Sequence, residues 1–279
     1  MEESLKKHLQ KIAVEVRKGI IEGTFNAKSG HPGGSLSIAD TITYLYYAQM
    51  NVNPENPEDD GRDRFVLSKG HCAPALYAVL AEKGYFPKEE LKTLRHIGSR
   101  LQGHPCINIP GVDMSSGSLG QGISVACGMA LSAKISNKPY RVYTILGDGE
   151  IQEGMVWEAA MFASHNKLDN LIAVVDNNGL QIDGNIADVC SPYPIDEKFK
   201  AFGWHVITMN AHDFDEIEKA FNEAVSIKDK PVVIIQNSIK GKGVSYMENQ
   251  AGWHGKAPNA DEYKTAMEEL NAQLESLED

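Results

Sequence analysis

The sequence predicts an α/β protein with a doubly wound parallel sheet and helices on both faces. Residues 140–146 and 170–176 are apolar, β-branched runs typical of buried strands, and a segment of helical length separates them. The same alternation of strand, helix and strand returns in residues 204–209, 214–227 and 231–236. Strands and helices that alternate at this length form βαβ units, whose strands are parallel.

The remaining elements are predicted from local patterns. Residues 5–25 repeat apolar side chains at three- and four-residue intervals, which indicates an amphipathic helix. The segment SGHPGGS (residues 29–35) is too rich in glycine and proline for a helix, and Ser35 is suited to cap a helix over residues 36–50. We further expect a strand at 64–67, helices at 73–83, 119–136 and 152–167, a loop at 100–117 and a terminal helix from Asp261.

The composition is that of an ordinary globular protein. Of the 279 residues, 42% are hydrophobic and 23% are charged. The formal net charge of −11 argues against a nucleic-acid surface, but it permits a locally positive pocket for an anionic ligand. The four cysteines form no C-x-x-C pair, and no apolar run approaches the roughly 20 residues of a membrane span. We therefore expect reduced cysteines, a cytoplasmic location and neither nucleic acid nor membrane as a partner.

Two polar motifs end the two central strands. GDG (residues 147–149) follows the first strand, and NNG (residues 177–179) follows the second. Because parallel strands end at the same edge of a sheet, Asp148 and Asn178 are expected to converge. A carboxylate and an amide oxygen suit Mg²⁺ or Ca²⁺, which also binds phosphate oxygens and water. The glycines allow a phosphate to approach, and the next helix directs its N-terminus to the same place.

The spacing of these motifs resembles the thiamine diphosphate signature, in which GDG precedes NN by a spacer of about 27 residues. The alternative for the motifs taken singly is a tight turn and an ordinary loop. Further segments resemble transketolase over residues 27–258, and they match only its N-terminal, diphosphate-binding domain. These segments are SGHPGG (29–34), RDRFVLSKGH (62–71), GHP (103–105), SGSLGQG (116–122), GDGEIQEGMVWEA (147–159) and KGKGVSYMENQAGWHGKAP (240–258).

The resemblance implies roles for the matching residues. The implied metal ligands are Asp148, Asn178 and the backbone carbonyl of Leu180. The implied cofactor contacts are His71, Gly117, Ser118, Leu119, Gly149, Glu158, Asn178 and His254. The implied catalytic residues, around the first carbons of the donor sugar, are His31, His104 and His254. Glu158 is also expected, with Glu153, at a subunit interface that links two cofactor sites.

The histidines suit this chemistry, because a neutral imidazole can donate to a sugar hydroxyl and accept its proton near neutral pH. Each of the three taken singly could instead be a structural loop histidine. Lys69 lies two residues before His71, where it either adds positive charge near the diphosphate or faces solvent. Without such a context, surface or packing roles are expected for His8, His96, His165, His205 and His212.

The resemblance also implies an incomplete active site. In transketolases the glutamate that activates the cofactor belongs to a pyrimidine-binding domain, which is absent from residues 1–279. We therefore expect a single diphosphate-binding domain here and, as a separate partner, a C-terminal transketolase subunit, in an α2β2 heterotetramer. Together they would have transketolase activity (EC 2.2.1.1) in the pentose phosphate pathway, moving a two-carbon ketol unit from a ketose phosphate to an aldose phosphate.

Several alternatives stay open at this point. The chain could be a fragment of a longer enzyme, a subunit like deoxyxylulose phosphate synthase, or the α subunit of a 2-oxo acid dehydrogenase. SGHPGG, GHP and WHGKAP argue against the last two. A non-catalytic cofactor-binding protein is disfavoured because all three sugar histidines are present. The sugar phosphates, the oligomeric state and the choice between Mg²⁺ and Ca²⁺ are not fixed by the sequence.

Overall fold

A computed structural model describes residues 1–278 and contains a five-stranded, fully parallel sheet. In chain order the strands are β1 (Arg64–Leu67), β2 (Val142–Gly147), β3 (Leu171–Asn177), β4 (Leu180–Gln181), β5 (Gly184–Asn185), β6 (His205–Asn210) and β7 (Val232–Asn237). The five strands of the sheet lie in the spatial order β1-β2-β3-β7-β6. The short strands β4 and β5 form an antiparallel hairpin that is not part of this sheet.

Helices cover both faces of the sheet, so the predicted doubly wound fold is confirmed. Alternate side chains of each strand point to opposite faces. In β2, for example, Tyr143 and Ile145 enter one core, whereas Val142 and Leu146 enter the other. The first core is formed with α1 (Glu3–Ala27), α2 (Pro32–Leu36), α3 (Ala39–Tyr44), α4 (Ala73–Lys83), α9 (Phe214–Ser226) and α10 (Ala260–Ser276). The second core is formed with α5 (Gln121–Ile135), α6 (Gly154–His165) and α8 (Ile195–Ala201).

Most predicted elements are confirmed with small shifts at their ends, but three expectations between residues 29 and 50 are wrong in whole or in part. The segment SGHPGGS contains α2, which begins at Pro32 because proline is favourable in a first helical turn that needs no amide donor. Ser35 lies inside α2 and donates to the His31 carbonyl instead of capping a later helix. The expected helix over residues 36–50 divides into α3 and a π-helical turn, Leu45–Gln49.

The region after β3 holds elements that local patterns did not predict. The hairpin of β4 and β5 leads into α7 (Ile186–Cys190), and α8 follows before β6. No helix in residues 1–278 combines the length and the apolar character that crossing a membrane requires. The elements that matter most for a ligand site are the carboxyl ends of β1, β2, β3 and β7, which lie side by side in the sheet.

Candidate active site

The carboxyl edge of the sheet carries polar residues that border a cavity of about 400 Å³. Gly147 at the end of β2 is in register with Asp176 of β3, and Asp176 is in register with Gln236 of β7. Since the strands are parallel, the residues that follow them leave the sheet on the same side. Asp148 and Asn178 both line the cavity, as the sequence predicts.

Asp148 joins the GDG turn to the NNG turn. Its Oδ1 accepts from the Gly149 amide at 2.9 Å, and its Oδ2 accepts from the Gly179 amide at 2.6 Å. Burial, and next the nearby Asp176 carboxylate, raise the pKa of Asp148 to about 6. Ionising Asp148 therefore costs more free energy than ionising a solvent-exposed carboxyl group, and a positive charge in the cavity would offset this cost.

The donor atoms around Asp148 fit a hard divalent cation. They are a carboxylate, the Asn178 side-chain amide and the Leu180 carbonyl, all in residues that line the cavity. The Leu180 carbonyl accepts from the Lys240 ammonium at 3.0 Å, so it already faces a positive charge. Within residues 1–278 no group of three or more His, Cys, Asp and Glu side chains is arranged to hold a metal. A zinc-type cluster is thus absent there, whereas oxygen donors of this mixed kind suit Mg²⁺ or Ca²⁺.

Asp176, fully buried at the end of β3, organises the floor of the cavity. Its carboxylate accepts from Lys69 Nζ and Ser37 Oγ at 2.6 Å, from Gln236 Nε2 at 2.8 Å and from Ser238 Oγ. Burial alone would raise the pKa of this carboxyl, but the Lys69 ammonium and these hydrogen bonds hold it well below its usual range. Lys69 is itself buried and lines the cavity, so its alternative role as a solvent-facing residue is wrong.

Glu150 joins the GDG turn to the loop before α5. Its buried carboxylate accepts from Ser68 Oγ, from the Gly120 amide at 2.9 Å and from the Gly147 amide at 3.0 Å. Gly120 has a φ of +83°, and a Cβ built on it would lie 2.8 Å from Glu153 Cβ. The turn therefore requires glycine at this position. It brings the SGSLGQG segment against the motif that carries Asp148.

Three histidine rings meet at the cavity. The ring centroids of His31, His71 and His254 are between 5.1 and 5.3 Å apart. Burial lowers the pKa of His31 and His71 to about 4 and that of His254 to about 3. The next cause is a neighbouring side chain, which is His71 for His31, Lys69 for His71 and Lys240 for His254. All three rings are therefore neutral at pH 7, so each can donate a hydrogen bond through one nitrogen and accept through the other.

Lys240 is a further cavity residue, to which the sequence assigned no role. Its side chain is buried, and its ammonium lies 3.0 Å from both the Leu180 carbonyl and His254 Nδ1. Unlike Lys69, which is paired with Asp176, Lys240 contacts uncharged partners.

The sequence contains few signals for the cavity residues that it did not predict. For Lys240 the signal was its place in the KGKG segment. Asp176 and Glu150 could have been noticed as acidic residues adjoining NNG and GDG.

The structure brings most of the predicted site residues to this cavity and leaves three outside its lining. The predicted residues that line it are His31, His71, Gly117, Leu119, Asp148, Gly149, Asn178, Leu180 and His254. The His104 ring lies next to Gly117, 3.2 Å from the position of a Cβ there. Ser118 is exposed and accepts from Gln121 Nε2, and Glu158 is exposed on α6. The roles of all these residues stay predictions.

The fold and the cavity define a parallel α/β domain with a polar cavity at the carboxyl edge of its sheet. The chain belongs to the transketolase family, because residues 9–276 match the family model described as "Transketolase, thiamine diphosphate binding domain". It is 44% identical over 262 residues to one subunit of the apulose-4-phosphate transketolase of Phocaeicola vulgatus, covering 94% of this chain and 93% of that relative. It is 46% identical over 263 residues to the 6-deoxy-6-sulfo-D-fructose transketolase subunit SqwG of a Clostridium species, covering 94% and 96%.

Longer relatives contain a region that is similar to nearly all of this chain. Human transketolase is 42% identical over 272 residues, which cover 96% of this chain and 43% of that protein. The crystal structure of Campylobacter jejuni transketolase matches with a TM-score of 0.90 at 33% identity, over 96% of this chain and 45% of that one. The chain thus spans less than half the length of these transketolases, and the family and fold predicted from the sequence are confirmed.

Proposed function

We propose that the chain is the diphosphate-binding subunit of a two-chain transketolase. With its partner it would transfer a two-carbon ketol unit from a ketose phosphate to an aldose phosphate, as in EC 2.2.1.1. The observation that carries the proposal is one cavity that holds Asp148, Asn178 and three neutral histidine rings. Relatives named for apulose 4-phosphate and 6-deoxy-6-sulfo-D-fructose indicate that donors other than xylulose 5-phosphate have to be tested.

Thiamine diphosphate with Mg²⁺ is the proposed cofactor, with Ca²⁺ as the alternative cation. When bound, the cofactor supplies the electron sink for cleavage of the ketose. Asp148, Asn178 and the Leu180 carbonyl would hold the cation, and Lys240 would add positive charge for the diphosphate. Lys69 lines the same cavity with its charge paired to Asp176. The proposed cofactor contacts are His71, Gly117, Ser118, Leu119, Gly149, Glu158, Asn178 and His254.

His31, His104 and His254 are proposed to act on the sugar. Burial lowers the pKa of all three side chains, so each is a neutral imidazole at pH 7. A neutral ring can accept the proton of the hydroxyl next to the bond that breaks, and it can donate to an oxygen on which negative charge develops.

The proposed partner is a C-terminal transketolase subunit with the pyrimidine-binding domain, in an α2β2 assembly. Two relatives are named as single subunits of an apulose-4-phosphate transketolase, which supports a second chain. Four large apolar side chains on α5 and α6 are between 38% and 54% exposed, namely Val125, Met155, Met161 and Phe162, and Ile135 at the end of α5 is 72% exposed. Glu158 lies on α6 between Met155 and Met161, and Ile182, which lines the cavity, is 68% exposed. Apolar surface of this kind is typical of protein–protein contacts.

The test is ketol transfer from xylulose 5-phosphate to ribose 5-phosphate by the chain alone, the partner alone and their mixture. We expect activity only in the mixture, and loss of cofactor binding and activity in Asp148→Ala. As a matched control, Lys200→Ala removes an exposed ion pair with Asp196 and leaves both properties unchanged. Robust activity of the chain alone refutes the two-chain proposal, and unchanged cofactor affinity in Asp148→Ala refutes the site assignment.

The same assay separates the other candidate functions. Activity with apulose 4-phosphate or 6-deoxy-6-sulfo-D-fructose but not with xylulose 5-phosphate would keep ketol transfer and change the donor. Decarboxylation of pyruvate without ketol transfer would favour a deoxyxylulose phosphate synthase-like or 2-oxo acid dehydrogenase subunit. Cofactor binding without turnover beside any partner would favour a non-catalytic protein. The cytoplasmic location and the pentose phosphate pathway stay predictions from the sequence.

A further inference from the structure

A buried polar cluster lies outside the cavity and joins three distant parts of the chain. It consists of Arg17 on α1, Asp40 on α3 and His212, which follows β6. Arg17 donates to both carboxylate oxygens of Asp40, at 2.9 and 2.5 Å, and His212 Nδ1 lies 2.8 Å from Asp40 Oδ2. The side chains of Arg17 and Asp40 are buried, and that of His212 is 11% exposed. This bidentate, charge-assisted arrangement fixes the geometry of all three side chains.

The cluster holds the loop that follows β7, residues 239–243. The Ile239 amide donates to His212 Nε2 at 2.9 Å, and Arg17 Nε donates to the Lys242 carbonyl at 3.1 Å. Because Nε2 accepts from a backbone amide, it carries no hydrogen, and the imidazole hydrogen lies on Nδ1 toward Asp40. His212 therefore bridges the buried carboxylate and the backbone of the loop.

Lys240 lies between the two anchored residues of this loop. Its backbone is held on one side at Ile239 and on the other at Lys242, while its ammonium contacts Leu180 and His254 in the cavity. Gly243 packs directly on the cluster, because a Cβ built on it would lie 2.9 Å from Arg17 Cδ. The cluster thus holds the backbone on both sides of Lys240, together with hydrogen bonds from the Asn249 amide to the Lys240 carbonyl and from the Gly241 amide to the Gly33 carbonyl.

We propose that Arg17, Asp40 and His212 are positioning residues for the ligand site, and that they act through the loop carrying Lys240. None of the three lines the cavity. They would determine ligand affinity by holding the ammonium in one place, as a rigid supporting shell does for groups that contact a ligand. The inference rests on the proposed function only in taking thiamine diphosphate with Mg²⁺ as the ligand.

The first test compares His212→Leu with His212→Gln in the full chain. Glutamine can accept from the Ile239 amide and donate to Asp40, whereas leucine can do neither. We expect about tenfold weaker binding of thiamine diphosphate with Mg²⁺ in His212→Leu, measured by calorimetry, and recovery of most of the affinity in His212→Gln. Hydrogen exchange at the amides of Ile239 and Gly241 should be faster in His212→Leu only.

Two further variants separate positioning from general loss of stability. Trp204→Phe removes a buried hydrogen bond to the Ala160 carbonyl in the second core, and we expect it to lower stability without changing cofactor affinity. In a Lys240→Met background, His212→Leu should weaken binding no further, because the affected group is already missing. A full additional tenfold loss in that background, or unchanged affinity in His212→Leu alone, overturns the proposal. Failure of the wild-type chain and of its partner complex to bind the cofactor would refute the proposed function, and the exchange rates would still test the anchoring.

Discussion

The charge of Asp148 should destabilise the metal-free protein, and Asp148→Asn should remove this effect. Burial and the Asp176 carboxylate raise the pKa of Asp148 from 3.8 to about 6. A shift of about two pKa units corresponds to about 3 kcal/mol. Between pH 4 and 6 the folded state keeps a proton that the unfolded state loses, so the stability that this proton provides is lost as pH rises through 6.

The assay is urea unfolding of the wild-type chain and of Asp148→Asn between pH 4 and 7.5, with a chelator present. Asparagine loses one acceptor for the amides of Gly149 and Gly179, but this loss does not depend on pH. The buried histidines contribute equally to the pH dependence of the unfolding free energy in both proteins, so their contribution cancels in the comparison. The unfolding free energy of the variant relative to wild type should therefore rise by about 3 kcal/mol over this range. A difference that stays constant with pH refutes the reasoning.

Three further predictions concern the buried residues of the cavity and the exposed face of α6. Lys69→Met should lower the unfolding free energy by about 3 kcal/mol in denaturant titrations, because it leaves the Asp176 carboxylate buried without its cation; equal stability would contradict this. The imidazole resonances of His71 and His254 should not titrate between pH 8 and 5.5 in NMR spectra, since burial keeps both rings neutral there; a midpoint near 6.5 would show that they are exposed. Phe162→Glu should prevent association with the proposed partner subunit in sedimentation experiments, and an intact complex would exclude this face as the contact. The variant should leave the unfolding of the isolated chain nearly unchanged, because this side chain is 43% exposed.

The central part of the site could be predicted from the sequence because its determinants are local. GDG and NNG directly follow two apolar strands, and the parallel pairing of β2 with β3 brings Asp148 to the Gly179 amide. The partners of Asp176 could not be predicted in the same way. Ser37, Lys69 and Gln236 lie between 60 and 139 positions away along the chain, and only the folded sheet brings them together.

The error in the SGHPGGS segment has a similar cause. Glycine and proline lower helix propensity when each residue is counted separately. In the structure Pro32 occupies the first turn, where its missing amide hydrogen has no effect, and the whole of α2 is buried. Gly33 is required there by close packing, since a Cβ on it would lie 2.8 Å from the Trp253 carbonyl. Tertiary contacts therefore outweigh local propensity at this position.

The charges of the cavity suit the proposed binding of an anionic cofactor together with a cation to an acidic protein. The charge of Lys69 is balanced by Asp176, whereas Lys240 contacts uncharged groups and is available to a diphosphate. Asp148 is held as a poorly stabilised carboxylate, so a divalent cation beside it relieves the destabilisation. A diphosphate that binds both the cation and Lys240 places negative charge beside each of these two positive charges. Cation and diphosphate should therefore increase each other's affinity, and by thermodynamic linkage each must do so by the same factor.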